Sequence, residues 1–185
     1  MSHHLFTVRG SANTASFAPE QARPSRRPSC GLGTRGSFLS QPLRREFDAI
    51  QNRWQALSRI GHLPARTDFP PESLTPWMGH IQIVERVCDG HQARHRVRLV
   101  GTRIVYYEGR DNTGLFLEDV IPVDQREEIL APYRHCAESR APIYGTFYSC
   151  AESAISSQLE RLILPLAADG TTIDQFIVAI YRAGT

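Results

Sequence analysis

The sequence predicts an α+β domain built on one five-stranded antiparallel sheet, with short helices on one face and an amphipathic helix leading into it. Three observations predict this. Apolar residues recur at helical spacing between Leu43 and Ile60. Two strand-like runs then meet at Asp89-Gly90, a hairpin turn signal. After a stretch of turns and one longer helix, three more strand-like runs close the chain.

Residues 1–40 are rich in Ser, Arg, Pro, Gly and Ala and show no apolar periodicity. Such a segment cannot bury enough surface to offset its ordering entropy, so it reads as a disordered tail. It is Arg-rich and acid-poor, as transit peptides are, but has no secretory signal pattern. Residues 41–76 form a helix and linker. Phe47, Ile50, Trp54, Leu57 and Ile60 fall on one helical face, and Gly61 supplies a stop. Pro64 and Pro70-Pro71 then interrupt regular structure, and Ser73 or Thr75 is placed to cap a short turn.

Residues 77–185 hold the main domain. Ile81 to Val87 makes the first strand. Ala93 to Val100 makes the second, with Val97 and Leu99 facing one way and Arg96 and Arg98 the other. Residues 102–119 read as short helices and turns punctuated by Gly109 and Gly114. Val123 to Ser139 reads as the long helix, with acids early and Arg134 and His135 late, as the helix dipole favours. Pro132 predicts a kink or break near Leu130. The last strands run from Ile143 to Cys150, Leu159 to Ala167 and Ile173 to Arg182. Leu162-Ile163-Leu164 and Phe176-Ile177-Val178 lack a polar face, so both sides of the sheet need cover. The helix at 43–60 is the candidate for the second side.

Four segments in this order carry a resemblance: Arg98-Leu99-Val100-Gly101-Thr102, Gly109-Arg110-Asp111-Asn112-Thr113-Gly114, Arg140-Ala141-Pro142, and Arg161 to Gly170. Over residues 43–182 the chain resembles the small, single-domain bacterial PAS sensors. The resemblance implies a PAS fold and a sensory or interaction role in signal transduction, with a small pocket between sheet and helices. It implies no enzyme. Light-sensing flavin relatives carry a reactive Cys where this chain reads Asn112-Thr113, and haem relatives an axial His at a position that falls near Ile129, not His135. No flavin adduct or haem ligation is therefore expected; the missing Cys leaves noncovalent flavin open, and no cofactor is assigned.

Composition narrows the partners. No apolar run is long enough to span a membrane. All 21 basic residues are Arg, and the first 45 residues hold seven of them against one acid, whereas the remainder holds 14 against 18 acids. The folded part is thus mildly acidic, and Arg23, Arg26 and Arg27 lack interleaved aromatics, so nucleic acid is not expected as a partner. Cys30, Cys88, Cys136 and Cys150 show no CxxC or zinc spacing and fit free thiols in a cytoplasmic protein. His62, His80, His91 and His95 form no metal spacing with carboxylates or Cys. His135-Cys136 point about 100° apart on a helix and do not make a nucleophile pair.

The candidate ligand site is Arg98, Leu99, Tyr106, Tyr107, Phe116, Ile129 and Leu164. Arg98 lies between apolar neighbours just before the Gly101-Thr102 turn. If buried, it needs either an acid such as Asp111 or Glu118, or a ligand anion suited to its planar fork. Tyr106 and Tyr107 are adjacent, so at most one faces inward. The expected function is binding of a small cytoplasmic molecule, protein–protein interaction, or both, with a homodimer formed through the 43–60 helix. A ligandless dimerisation or adaptor module is the alternative, and a small hydrolase a more distant one.

Overall fold

The computed structural model describes residues 45–90, 92–149 and 158–183. The expected tail at 1–40, the helix start at Leu43, and His91, Cys30 and Cys150 lie outside them. The order is α1 (Arg45–Leu57), α2 (Pro71–Leu74), β1 (Ile81–Asp89), β2 (Gln92–Val100), α3 (Thr102–Glu108), α4 (Leu117–Val120), α5 (Arg126–Ser139), β3 (Ile143–Tyr148), β4 (Gln158–Leu166) and β5 (Gln175–Arg182). Short 3-10 turns precede α2, β1 and α5. The five strands form one antiparallel sheet in the order β2-β1-β5-β4-β3.

Strand register assigns the two faces. Phe147, Arg161, Ile180 and Gln82 look toward the helices α3 to α5. Tyr144, Leu162, Ala179 and Ile81 look the other way. The apolar runs in β4 and β5 are buried on both faces, as their lack of a polar side requires.

The outer face is covered by α1. Phe47 sits edge-on to both Tyr144 and Tyr181, with ring centroids 5.6 and 5.4 Å away. The Trp54 indole N–H donates to the Pro165 carbonyl at 2.7 Å. Pro165 lies past the last β3–β4 pair, where β4 has a single neighbour and tolerates a residue without an N–H. Phe47, Ile50 and Trp54 are buried, whereas Ile60 is fully exposed because the helix ends at Leu57. This apolar face is occupied by the chain's own sheet, not by a twin helix.

Other differences from the sequence reading have local causes. Ser73 and Thr75 do not cap α2; their hydroxyls donate back to the carbonyls of Pro70 and Glu72, and Pro71 starts the helix. Gly101 is required by a close crossing: a Cβ there would lie 2.4 Å from the Gly79 carbonyl oxygen. Alternation in β2 breaks at Arg98. Leu99 pairs with Ile83 and Val97 with Val84, which leaves Arg98 as the extra residue of a bulge. Val97 therefore faces in and Leu99 faces out. The expected break at Pro132 is absent, and α5 runs continuously through it.

Candidate functional site

A small cavity of about 50 Å³ lies between the inner sheet face and α3, α4 and α5. One wall is apolar: Leu117, Ile129, Phe147 and Ile180. The other is polar: Gln82, Glu108, Asn112 and Arg161. Gln82, Asn112 and Arg161 are each nearly inaccessible to solvent. Burying polar groups costs free energy unless they are satisfied, so their convergence on one space is informative.

Local structure places each of them. Gly109 ends α3 in the left-handed conformation and leaves Glu108 at the last helical position. The loop that follows is laced to β2, with Val97 N–H donating to Leu115 and Gly114 N–H to Val97. Within it the Asp111 carboxylate accepts the Thr113 N–H at 2.8 Å, and this bond together with the Thr113 hydroxyl holds its pKa below the usual range. That turn buries Asn112, whose side-chain amide donates to Glu108 at 3.0 Å. The other end of the same side-chain amide, the oxygen Oδ1, is buried without a hydrogen-bond partner. Desolvation raises the Glu108 pKa, opposed by the Asn112 bond and the charges of Arg110 and Arg161.

Arg161 reaches from β4 to α5. Its Nη1 donates to Ile129 at 3.0 Å and its Nη2 to Glu128 at 3.1 Å. The guanidinium lies 4.8 Å from the Phe147 ring centroid and 5.7 Å from that of Tyr133. Tyr133 is buried, and desolvation pushes its phenol well above the usual range.

Of the seven residues expected at the site, only Ile129 lines this cavity. Arg98 is half exposed on the bulge, 3.9 Å from Glu85, and reaches neither Asp111 nor Glu118. Leu99 and Leu164 lie on the outer face, Leu164 fully buried. Tyr106 is exposed; Tyr107 is half-buried, its ring 6.1 Å from His80. Phe116 lies under the Arg94 guanidinium at 4.0 Å. Arg161 and Asn112 were visible in the motifs, but nothing local marks either as buried. Pro132 signals only that a helix carbonyl needs another donor, not that Arg161 supplies it.

The geometry bears on the cofactor and enzyme readings. His135 is exposed and outside the cavity lining, so it is not placed to ligate haem. The cavity is far below the roughly 300–1,000 Å³ typical of sites that take drug-sized ligands. Among the described residues no group of three His, Cys, Asp or Glu is placed to hold a metal. The Cys136 thiol is buried, directed at the Ala141 carbonyl, and desolvation raises its pKa well above the usual range, the opposite of an activated nucleophile. No helix among the described residues is long and apolar enough to cross a membrane.

A PAS domain family model matches residues 44–180. The chain belongs to the PAS domain family. PAS domains generally bind ligands or mediate signalling, and are generally sensory rather than catalytic. No curated protein matches the sequence. Among solved structures, the light state of the blue-light photoreceptor Aureochrome1 LOV is similar at 6% identity and a TM-score of 0.46, with 62% of this chain and 88% of that chain covered. The Rhodobacter sphaeroides LOV protein is similar at 10% identity and a TM-score of 0.46, covering 74% of this chain and 68% of that one. An RNA-binding Light-Oxygen-Voltage receptor is similar at 11% identity and a TM-score of 0.44, covering 63% and 33%. Likeness at this level transfers neither ligand nor photochemistry to this PAS domain.

Proposed function

We propose that this PAS domain is a cytoplasmic sensor of a small molecule held in the cavity between sheet and helices. The observation that carries the reading is the Asn112 side-chain oxygen (Oδ1), buried and unpartnered at a cavity that Glu108 and Arg161 also line. A core packed only for stability would place apolar side chains there. Ile129 belongs to this site, and Arg161 ties it to α5. The signal is read on the outer sheet face, through α1. A homodimer formed through α1 uses its exposed side, which carries Asp48, Asn52 and Gln55, since the apolar side is occupied. Free Cys88 and Cys136 fit a reducing compartment.

The volume of about 50 Å³ favours a second reading, the ligandless adaptor. Native mass spectrometry of the purified protein, alone and with a library of small polar molecules, separates the two. A stoichiometric adduct that disappears in Asn112→Leu supports sensing. A bare mass throughout, with Asn112→Leu more stable and oligomerisation unchanged, establishes the adaptor.

A further inference from the structure

A second and larger space lies on the same side of the sheet. It is a groove of about 630 Å³ between the β1–β2 hairpin, α5 and the β4–β5 turn. His95, Tyr133 and Phe176 stand between it and the small cavity. His95 and Tyr133 have ring centroids 5.1 Å apart, and Tyr133 and Phe176 5.4 Å apart, edge to face. Of the three, His95 lines the groove and Tyr133 the cavity.

The groove has a distinct chemistry. Leu130, Ala137 and Ile173 supply apolar lining. Arg86, Arg134 and Arg140 bring three guanidinium groups around it. Arg86 has no side-chain partner among the described residues. Arg140 donates only to neutral backbone oxygens, of Gly61, Thr171 and Gly170. Arg134 alone has an acid, Glu127, which lies outside the groove.

Two acids, Glu118 and Glu138, line the groove as well. Glu118 is already engaged: it accepts the His95 backbone N–H at 3.1 Å and lies 2.7 Å from His95 Nδ1. Burial lowers the His95 pKa against the pull of Glu118, and the charges of Arg86 and Arg134 lower it further. The ring is therefore neutral near pH 7, with its proton on Nδ1 toward Glu118. His95 then adds no positive charge, and the lining carries two carboxylates, Glu118 and Glu138, against the three guanidinium groups of Arg86, Arg134 and Arg140.

We propose that this groove is a second ligand site, which takes a small organic carboxylate with an apolar body. The carboxylate meets Arg86 and Arg140, whose planar forks suit it, and the apolar body lies on Leu130 and Ala137. The volume is in the range of about 300–1,000 Å³ usual for small-molecule sites. The proposal is independent of ligand binding in the small cavity.

Benzoate and its neutral isostere benzamide test it, titrated into the full-length protein by calorimetry and by NMR at fixed ionic strength. Saturable one-to-one binding of benzoate is expected, with benzamide at least about tenfold weaker, as loss of a charge-assisted bond implies. Arg86→Gln weakens benzoate by a similar factor, and Ala137→Trp, which fills the floor, blocks it. Both variants keep wild-type circular dichroism and melting behaviour, because Arg86 and Ala137 are only half-buried. Asn112→Leu in the small cavity leaves benzoate binding unchanged. Equal binding of benzamide, no benzoate binding in the millimolar range, or indifference to both groove variants overturns the proposal. Loss of benzoate binding in Asn112→Leu alone also overturns it, by moving the site to the small cavity.

Discussion

Pro132 and Arg161 complete each other. Pro132 has no N–H to give to the Glu128 carbonyl one helical turn earlier, and the Arg161 guanidinium, arriving from β4, donates to that carbonyl at 3.1 Å and to Ile129 at 3.0 Å. A proline that should break α5 is thereby kept inside an unbroken helix. A buried cation acquires neutral acceptors and two aromatic faces, which lowers the cost of its burial.

The pair is testable as a double-mutant cycle. Arg161→Met leaves the Glu128 carbonyl without a donor, removes a second bond to Ile129, and is expected to destabilise the domain by about 2–4 kcal/mol. Pro132→Ala restores an N–H for Glu128, so in that background Arg161→Met costs less, by roughly 1 kcal/mol. Chemical denaturation of the four proteins measures it. Strict additivity would show that the two residues are independent.

The cover on the outer face is expected to dominate stability. Trp54→Ala should cost about 3–5 kcal/mol, as for other buried aromatic truncations. Trp54→Phe keeps most of the apolar contact and loses only the bond to Pro165, at about 1 kcal/mol. A Trp54→Ala melting curve that overlays the wild type would show that α1 is not docked.

Glu108 gives the cavity a pH signature. Its folded pKa lies above the ordinary 4.5, so between 4.5 and the folded value the native state binds more protons than the unfolded state. Stability attributable to Glu108 is therefore full below 4.5 and declines as pH rises through the folded pKa. Glu108→Gln is expected to abolish this decline and to be relatively more stabilising at pH 8 than at pH 4. An identical stability difference from wild type at both pH values would count against a desolvated carboxyl.

His95 has the opposite signature. Its folded pKa lies below the ordinary 6.5 because burial outweighs Glu118. Below 6.5 the unfolded state binds more protons, so stability is full above that pH and falls as acidification proceeds toward the folded value. NMR titration of the His95 ring should give a midpoint below the ordinary 6.5. A midpoint above 6.5 would mean that Glu118 wins, and with it an extra positive charge beside the groove.

How much of this was legible in the sequence depends on how local each cause is. The five strands, the hairpin at Asp89-Gly90 and the need for cover over Leu162-Ile163-Leu164 follow from period and length, and they appear where expected within one to two residues. The site does not follow. A single bulged residue, Arg98, reverses the facing of Leu99, and alternation alone gives no sign of it. Leu164 belongs to the face under α1, which only the register across three strands decides. Arg161 lies in a motif, yet its burial is matched to a proline inside a helix 29 positions earlier (132 to 161), a relation between distant elements. Asn112 looked like turn chemistry because its neighbours Asp111 and Thr113 make the turn while it points inward.

The contact between Trp54 and Pro165 spans 111 positions, and this has a consequence for how the protein is made. Synthesis delivers α1 first and its docking surface last. At about 5–20 residues per second the apolar side of α1 waits on the order of 5–20 seconds for β4 and longer for β5. During that interval the helix is an exposed, unpaired apolar stripe on a nascent chain, and the sheet it will seal has its two edge hairpins made before the central β1–β5 pair can form. Non-local pairing of this kind is slow to nucleate. Recovery of folded protein should therefore depend on chaperone capacity and translation speed far more than the equilibrium stability of the finished domain would indicate.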